Sequence, residues 1–405
     1  MDAKDAYQRT SALLDDYLEP LSMLHRRGPL RAMADLVRGI LWSGSVQLTN
    51  ACRVFAQTSE DLGYEVDRLS TQLANPKWDH REWMAAVLGY LADRVKADDL
   101  IAIDGTDLAK PYARNMQWQC IVQDASRRDK PLVPGYWCFG AYAWQDPSQQ
   151  LHSLLLRPWS QDSPDFISEN ALIDRWFWSL HQALGDKGIW LMDRGFDRPE
   201  ILASLLRFRK RWIVRLRSDR PLIGPDGIRK PAHVLAKEAL AAGTPRGHAV
   251  TVKVRLPTEQ VRQAPHAPTL WLVIPTYATG DDEHRLLLTC GLIDQHAGRR
   301  QVRHHYALRW RAEDARRMFG QLWHIEKFLT RSFLSLERML ACVALASGFI
   351  VEMQQQLPDV CDEIDGQLLR LLVDDDPIIP AYRVARGLPV LIARAKGVYA
   401  MTLNA

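Results

Sequence analysis

The chain reads as an α/β protein, with helices before a central sheet and more helix after it. Three observations carry that reading. Residues 1 to about 98 place apolar side chains at three- and four-residue steps and lack strand alternation. Two later apolar runs of strand length each end in an aspartate followed by a turn. The stretch from 205 to 300 is strand-rich, with turn-prone loops between its apolar runs.

In the first region Leu13, Leu14, Tyr17 and Leu18, then Met33, Val37, Ile40 and Leu41, mark helix faces. At 30–56 one helix is followed by the turn-prone Ser43-Gly44-Ser45 and a second apolar-periodic run through Val46, Ala51, Val54 and Phe55. A helix–turn–helix fits and would put Gln47, Thr49, Asn50 and Arg53 on the face offered to DNA. An ordinary αα-hairpin fits these residues equally well. Breaks at Asn75-Pro76-Lys77 and Asp79-His80, a helix over Trp83 to Val95 and the polar Lys96 to Asp99 place a boundary near 98.

The run LIAID delivers Asp104 at a strand end. Asp107, in the following Gly105-Thr106-Asp107, reads better as a turn residue capping backbone N–H groups. Runs at 131–144 and 151–159 form a hairpin about Asp146-Pro147-Ser148, and a helix from Glu169 to Leu184 stops at Gly185. Ile189 to Met192 then delivers Asp193 before a turn at Gly195 and a helix from Arg198. Carboxylates just beyond the carboxyl ends of strands are where α/β folds commonly place catalytic groups.

From 205 the character changes. Arg207, Arg209, Lys210, Arg211, Arg215, Arg217 and Arg220 crowd round Trp212, with Asp219 the one acid among them. Cations interleaved with an aromatic suit a phosphate backbone and an unstacked base. Period-2 alternation in WIVRLR would bury Trp212, Val214 and Leu216 and present Arg215 and Arg217. Runs at 250–257, 269–277 and 285–293 complete a β-rich segment, with loops at 221–232, 258–268 and 278–284.

Residues 299–327 form a basic helix in which Tyr306, Arg309, Glu313 and Arg316/Arg317 share one stripe. It reads either as a solvated, salt-bridged face or as a carboxylate held among cations that would meet a polyanion. Phe333 to Leu357 is an apolar helix, and more helix runs from Val360 to about 395 past an acidic loop at Asp374-Asp375-Asp376. The expected organisation is an α-helical DNA-binding region (1–98), a catalytic core (99–204 and 286–335), a β-rich insertion (205–285) and a C-terminal helical region (336–405).

With 405 residues, 47% of them apolar, the chain can bury a large core; a net charge of +4 makes local basic clusters more informative than the total. The six cysteines show no metal-binding spacing and read as buried thiols of a reducing compartment. No leader and no run of about 18 apolar residues stand out, so a cytoplasmic protein without a membrane partner is expected.

Two strand-end aspartates and a helical glutamate are the minimum set for two Mg²⁺ ions, with Mn²⁺ able to substitute, that clamp the oxygens of an in-line phosphoryl displacement. The order D…D…E, with DGTD at Asp104, DRGF at Asp193 and Y-x2-R-x3-E ending at Glu313, resembles bacterial insertion-sequence DDE transposases of the Y-R-E-K signature type. The separations of 89 and 120 residues fit a triad whose second gap holds an insertion. The resemblance covers about 100–335 and implies an RNase H-like mixed-sheet core with Asp104, Asp193 and Glu313 as catalytic metal ligands. It places Tyr306 and Arg309 at the transposon-end DNA. The signature's lysine falls on Gly320, so Arg316, Arg317 or Lys327 would have to supply that charge.

The same resemblance implies cut-and-paste transposition: binding of terminal inverted repeats, pairing of ends by a homodimer, cleavage of double-stranded DNA and joining of 3′-hydroxyl ends to a target. Arg209, Lys210, Arg211, Trp212, Arg215 and Arg217 would contact DNA, and Trp212 or Trp271 could grip a flipped base. The alternatives are a two-metal nuclease without strand transfer and a domesticated DNA-binding protein without catalysis.

Overall fold

Leu100 to Ile103 are buried throughout, as an apolar run inside a sheet must be, and begin the strand β1 (Leu100–Ala109). The computed structural model describes residues 2–22, 27–78, 80–125, 127–145, 150–242, 249–257, 259, 269–275, 286–292, 296–369 and 380–397. The chain divides into two units, the first holding Met1–Arg94, Gly105–Asp165 and Glu313–Ala405, the second Val95–Asp104 and Phe166–Ala312. β1 therefore contributes its first half to one unit and its second half to the other.

In the second unit the first half of β1 pairs in parallel with β5 (Ile189–Met192), and β5 pairs in parallel with β6 (Arg211–Arg215). Antiparallel strands extend the sheet in the order β11 (Leu287–Cys290), β10 (Leu270–Pro275) and β9 (Ala249–Val254). Helix α6 (Glu169–Leu184) leads into β5; its cap is Ser168, whose hydroxyl accepts from the Ala171 N–H at 3.2 Å. Helix α7 (Pro199–Arg207), with proline in its first turn, connects β5 to β6. A small hairpin of β7 (Pro221–Ile223) and β8 (Arg229–Pro231), α8 (Ala232–Ala242) and α9 (His296–Ala307) complete the unit.

The segment 205–285, expected as an insertion, thus supplies β6, β9 and β10 to the main sheet. Its first strand is not amphipathic as the alternation suggested, because Trp212, Ile213 and Val214 are all fully buried between flanking strands. Burial on both faces hides a period-2 signal.

The first unit combines the second half of β1 with β2 (Cys120–Gln123), β3 (Leu132–Gln145) and β4 (Gln150–Trp159), the last three joined antiparallel. The expected hairpin is β3–β4; its turn residues, the loops at 258–268 and 278–284, and Asp374 to Asp376 lie outside the described residues except for residue 259. Helices α1 (Ala3–Ser22), α2 (Arg27–Ser43), α3 (Leu48–Arg53), α4 (Ser59–Ala74) and α5 (His80–Ala92) do not stand apart: α11 (Phe333–Gln356) packs on β4 and on α2, α4 and α5. Helix α12 (Pro358–Leu369) and α13 (Pro380–Ala395) close the unit, and α10 (Arg311–Arg317) starts at its edge.

Contrary to the expectation that no stretch reaches the length of a membrane span, α11 meets that test by length and composition; 89% of its most apolar window is buried in the protein. Its one arginine in that interior, Arg338, is fully buried and donates to the carbonyls of Leu73 at 2.7 Å and Asn75 at 2.9 Å. It also lies over the Trp78 ring at 3.7 Å, so a single side chain caps the end of α4. Lys110 works similarly. Fully buried, it spends all three ammonium protons on the carbonyls of Ile325, Glu326 and Phe328 at 2.7, 2.9 and 2.9 Å, while burial lowers its pKa to about 7.

Candidate active site

In the parallel pair β1–β5, Ile103 lies opposite Met192, so Asp104 and Asp193 are the next residues on adjacent strands. Asp193 lies just past the end of β5, whereas Asp104, expected at a strand end, sits midway along β1 at the point where its pairing with β5 stops. Neighbouring strands run about 4.8 Å apart, so the two backbone positions are adjacent. Asp104 is 8% exposed. Asp193 caps a single 3₁₀ turn at Arg194–Phe196, its Oδ1 accepting from the Gly195 N–H at 2.7 Å. A Cβ on Gly195 would lie 3.0 Å from that oxygen, so the glycine of DRGF lets the carboxylate fold over its own turn.

Cations surround the pair. Arg309 Nη1 stands 3.6 Å from Asp104 Oδ2, with both side chains largely buried, and the Arg309 Nε is buried without a hydrogen-bond partner. Tyr306 joins them: burial is the main cause that raises its phenol pKa, with Arg309 and Arg215 opposing and Asp193 adding to the rise. The ring therefore stays a neutral hydrogen-bond donor. Asp104, Asp193, Arg215, Tyr306 and Arg309 form one cluster in the second unit, in which two acids face two guanidinium groups and a phenol.

Arg309 occupies the position of a positive partner to Asp104, so a hard cation bound there would displace its guanidinium. Both aspartates offer oxygen ligands, as Mg²⁺ and Mn²⁺ require. Among the described residues no group of three or more His, Cys, Asp or Glu is gathered in metal-holding geometry. Glu313 belongs to the first unit, where it is about half exposed and ion-paired with Arg316.

The stripe expected on one helix from 299 to 327 is broken. After α9 the chain makes a 3₁₀ turn at Leu308–Trp310, the short α10, a π-turn at Met318–Leu322 and a further 3₁₀ turn at Ile325–Lys327 entered through His324 at φ 55°. Lys327 therefore does not continue the stripe, because the left-handed His324 reverses the helical course before it. Arg317 is exposed. Gly320 lies inside the π-turn, and nothing comes within 4 Å of where its Cβ would be.

Several residues expected on DNA have other partners. Trp212 is fully buried in β6 and has no face to offer a base. Lys210 is 3% exposed and donates to the Gly185 carbonyl behind α6. Arg211 pairs with Asp98 at 2.8 Å, and Arg217 lies 3.7 Å from the buried Asp197, whose main partner is Arg220 at 2.6 Å. Arg207 pairs with Asp174. The dense basic segment thus serves mainly to neutralise acids of its own unit, leaving Arg209 exposed and Arg215 beside the site. Trp271 is part-buried with the Lys253 ammonium 5.4 Å over its ring. In the first unit Gln47, Asn50 and Arg53 bond in series, Asn50 donating to Gln47 at 2.9 Å and Arg53 to Asn50 at 3.3 Å. Asp107, expected in a turn, lies instead within β1, and its carboxylate accepts from the Ala125 N–H at 3.4 Å.

Two features escaped the sequence. The Arg309–Asp104 pair joins residues far apart in the chain, and nothing local signals it. Trp310 is 59% exposed with the Arg309 guanidinium 5.2 Å over its ring; its only trace in sequence is an aromatic set between two arginines.

Residues 167–349 match the family described as the transposase DDE domain, a segment that includes Asp193, Tyr306, Arg309 and Glu313 and leaves out Asp104. The match supports a DDE transposase. No curated protein matches the chain. Among solved structures, the cryo-EM structure of the piggyBac transposase synaptic complex with hairpin DNA is similar at 12% identity and a TM-score of 0.46, over 97% of this chain and 80% of that one.

Proposed function

We propose that the chain is a bacterial insertion-sequence transposase of the Y-R-E-K type, acting in the cytoplasm as a homodimer that binds terminal inverted repeats, cleaves double-stranded DNA and transfers its 3′-hydroxyl ends to a target. The observation that carries this reading is the placement of Asp104 and Asp193 side by side where the parallel pairing of β1 and β5 ends, ringed by Arg215, Tyr306 and Arg309. Asp104 and Asp193, with Glu313 third in sequence order, would hold two Mg²⁺ ions, with Mn²⁺ able to substitute. Ions there would neutralise charge on the attacking and leaving oxygens.

The chain's own groups supply the rest. Arg309, held against Asp104 in the free protein, can turn its guanidinium to a scissile phosphate when a second anion arrives. The neutral Tyr306 phenol donates a hydrogen bond to a phosphate oxygen, and Arg215 balances the added charge. Arg209, exposed in the same unit, is available to a phosphate of the DNA backbone.

The test is cleavage and joining of DNA carrying the element's ends in Mg²⁺. Asp104→Asn and Asp193→Asn are expected to lose about 10³-fold or more of cleavage while still binding DNA. Cleavage by both variants at the parent rate would end the assignment. Cleavage by the parent without any joined product would select the nuclease reading instead, and binding without cleavage of any DNA would select the non-catalytic one.

A further inference from the structure

In the first unit an open groove of about 570 Å³ lies among the end of α4, the segment that follows β1 and the first turn of α11. Two arginines line it, Arg114 and Arg331, and no aspartate or glutamate does. Both are exposed, and neither has an ion pair among the described residues. By contrast Arg9, Arg38, Arg68, Arg94 and Arg383 of the same unit are each paired with a carboxylate. The groove is a place where the protein keeps positive charge uncompensated.

Two further features turn it toward anions. The Ser335 hydroxyl lines the groove, is 2% exposed, and has no hydrogen-bond partner, which is uncommon for a buried polar atom. Ser332 begins α11 and makes no cap hydrogen bond of its own; the Gln117 side chain takes the Phe333 N–H at 3.1 Å, and the rest of the positive end of this 24-residue helix borders the same space. On the rim stands Tyr112, 88% exposed, beside Leu329, 53% exposed, with Leu73 on the floor. An inorganic anion would answer the arginines and leave the ring and leucines wet. A ligand that alternates phosphates with planar rings answers both.

We propose that this groove binds single-stranded DNA, with phosphates on Arg114 and Arg331, the Ser335 hydroxyl as a buried donor, and a base stacked on Tyr112. The choice of DNA over other polyanions rests on the transposase reading; the phosphate-and-ring chemistry does not. An acidic peptide would match the charge but offers Tyr112 nothing to stack on.

The experiment measures binding of fluorescein-labelled oligothymidylate, about 16 nucleotides long, to the full chain by anisotropy across a salt series. The parent is expected to bind, and Arg114→Ala with Arg331→Ala to weaken binding about tenfold or more and to flatten the salt slope by about 1.4. Tyr112→Ala should weaken it by about 5- to 100-fold and Tyr112→Phe should not. These side chains are exposed, and unchanged circular dichroism of each variant guards the comparison. Binding equal to the parent in the arginine and Tyr112→Ala variants overturns the proposal, as does an acidic oligoglutamate that binds the groove more tightly than oligothymidylate. Arg127→Ala, which removes an exposed arginine outside the groove's lining, serves as the control and should bind oligothymidylate normally. Groove-dependent binding without any Mg²⁺-dependent cleavage would sink the transposase reading alone; cleavage with groove-independent binding would sink this proposal alone.

Discussion

Asp104 and Arg309 show how one residue's role depends on what reaches it from elsewhere in the chain. LIAID suggests a strand-end carboxylate, but the strand runs on to Ala109, and only the fold brings a guanidinium to 3.6 Å from Asp104. The converse holds for Trp212 and Lys210, whose place in a basic run suggested DNA and whose burial assigns them to the core and to the Gly185 carbonyl. His152 carries the clearest pH signature. It is 1% exposed on β4 with neither ring nitrogen hydrogen-bonded, and burial lowers its pKa to about 4, Arg94 adding to the effect and the Leu91 backbone opposing it. The folded pKa lies below the unfolded value of about 6.5. Its contribution is therefore complete above pH 6.5 and is lost as the pH falls toward 4, by about 3 kcal/mol in all. Urea midpoints of the parent should fall more steeply from pH 7 to 4.5 than those of His152→Leu. Equal slopes would show that the imidazole is not buried in its neutral form.

At the scale of elements, the helical stripe that first drew attention is five short pieces. A period of three and four residues survives across them because 3₁₀, α and π turns differ only slightly in residues per turn, so sequence could show the stripe and not its breaks. His324 gives no warning, since left-handed conformations at non-glycine residues are set by tertiary contacts. Gly320 did give one: it marks the π-turn closed by the Trp323 N–H on the Met318 carbonyl at 3.1 Å. Its surroundings are open and its backbone does not need glycine. Gly320→Lys, which restores the signature's charge, should keep or raise the melting temperature, since glycine costs up to about 1 kcal/mol in a helix. It should also steepen the salt dependence of duplex binding by about 0.9 per phosphate gained. A melting temperature lowered by several degrees would contradict the open site.

On the scale of the whole molecule, the chain passes between its two units at Arg94/Val95, Asp104/Gly105, Asp165/Phe166 and Ala312/Glu313. Only the first of these lies near a boundary visible in the sequence, the polar stretch at Lys96 to Asp99. The others fall inside β1, before α6 and inside α10, where local composition does not change. The α/β class, the aspartate beyond β5 and the apolar helix α11 were legible because each is encoded within a few residues; the continuation of β1 past Asp104 to Ala109 was not. Strand order was not: β6 joins β11 across about 75 residues, and pairing over such a distance leaves no periodicity to read. The basic run at 207–220 misled for the same reason, since its acidic partners Asp98, Asp174 and Asp197 come from other elements.

If Asp193 holds a divalent cation during phosphoryl transfer, as proposed, exchanging its carboxylate for a thiolate changes the metal that supports cleavage. Thiolates favour softer ions than carboxylates do. Asp193→Cys, assayed for cleavage of end DNA, should be inactive in Mg²⁺ and recover activity in Mn²⁺, whereas the parent works in both. Parent-level cleavage by Asp193→Cys in Mg²⁺ would contradict the account.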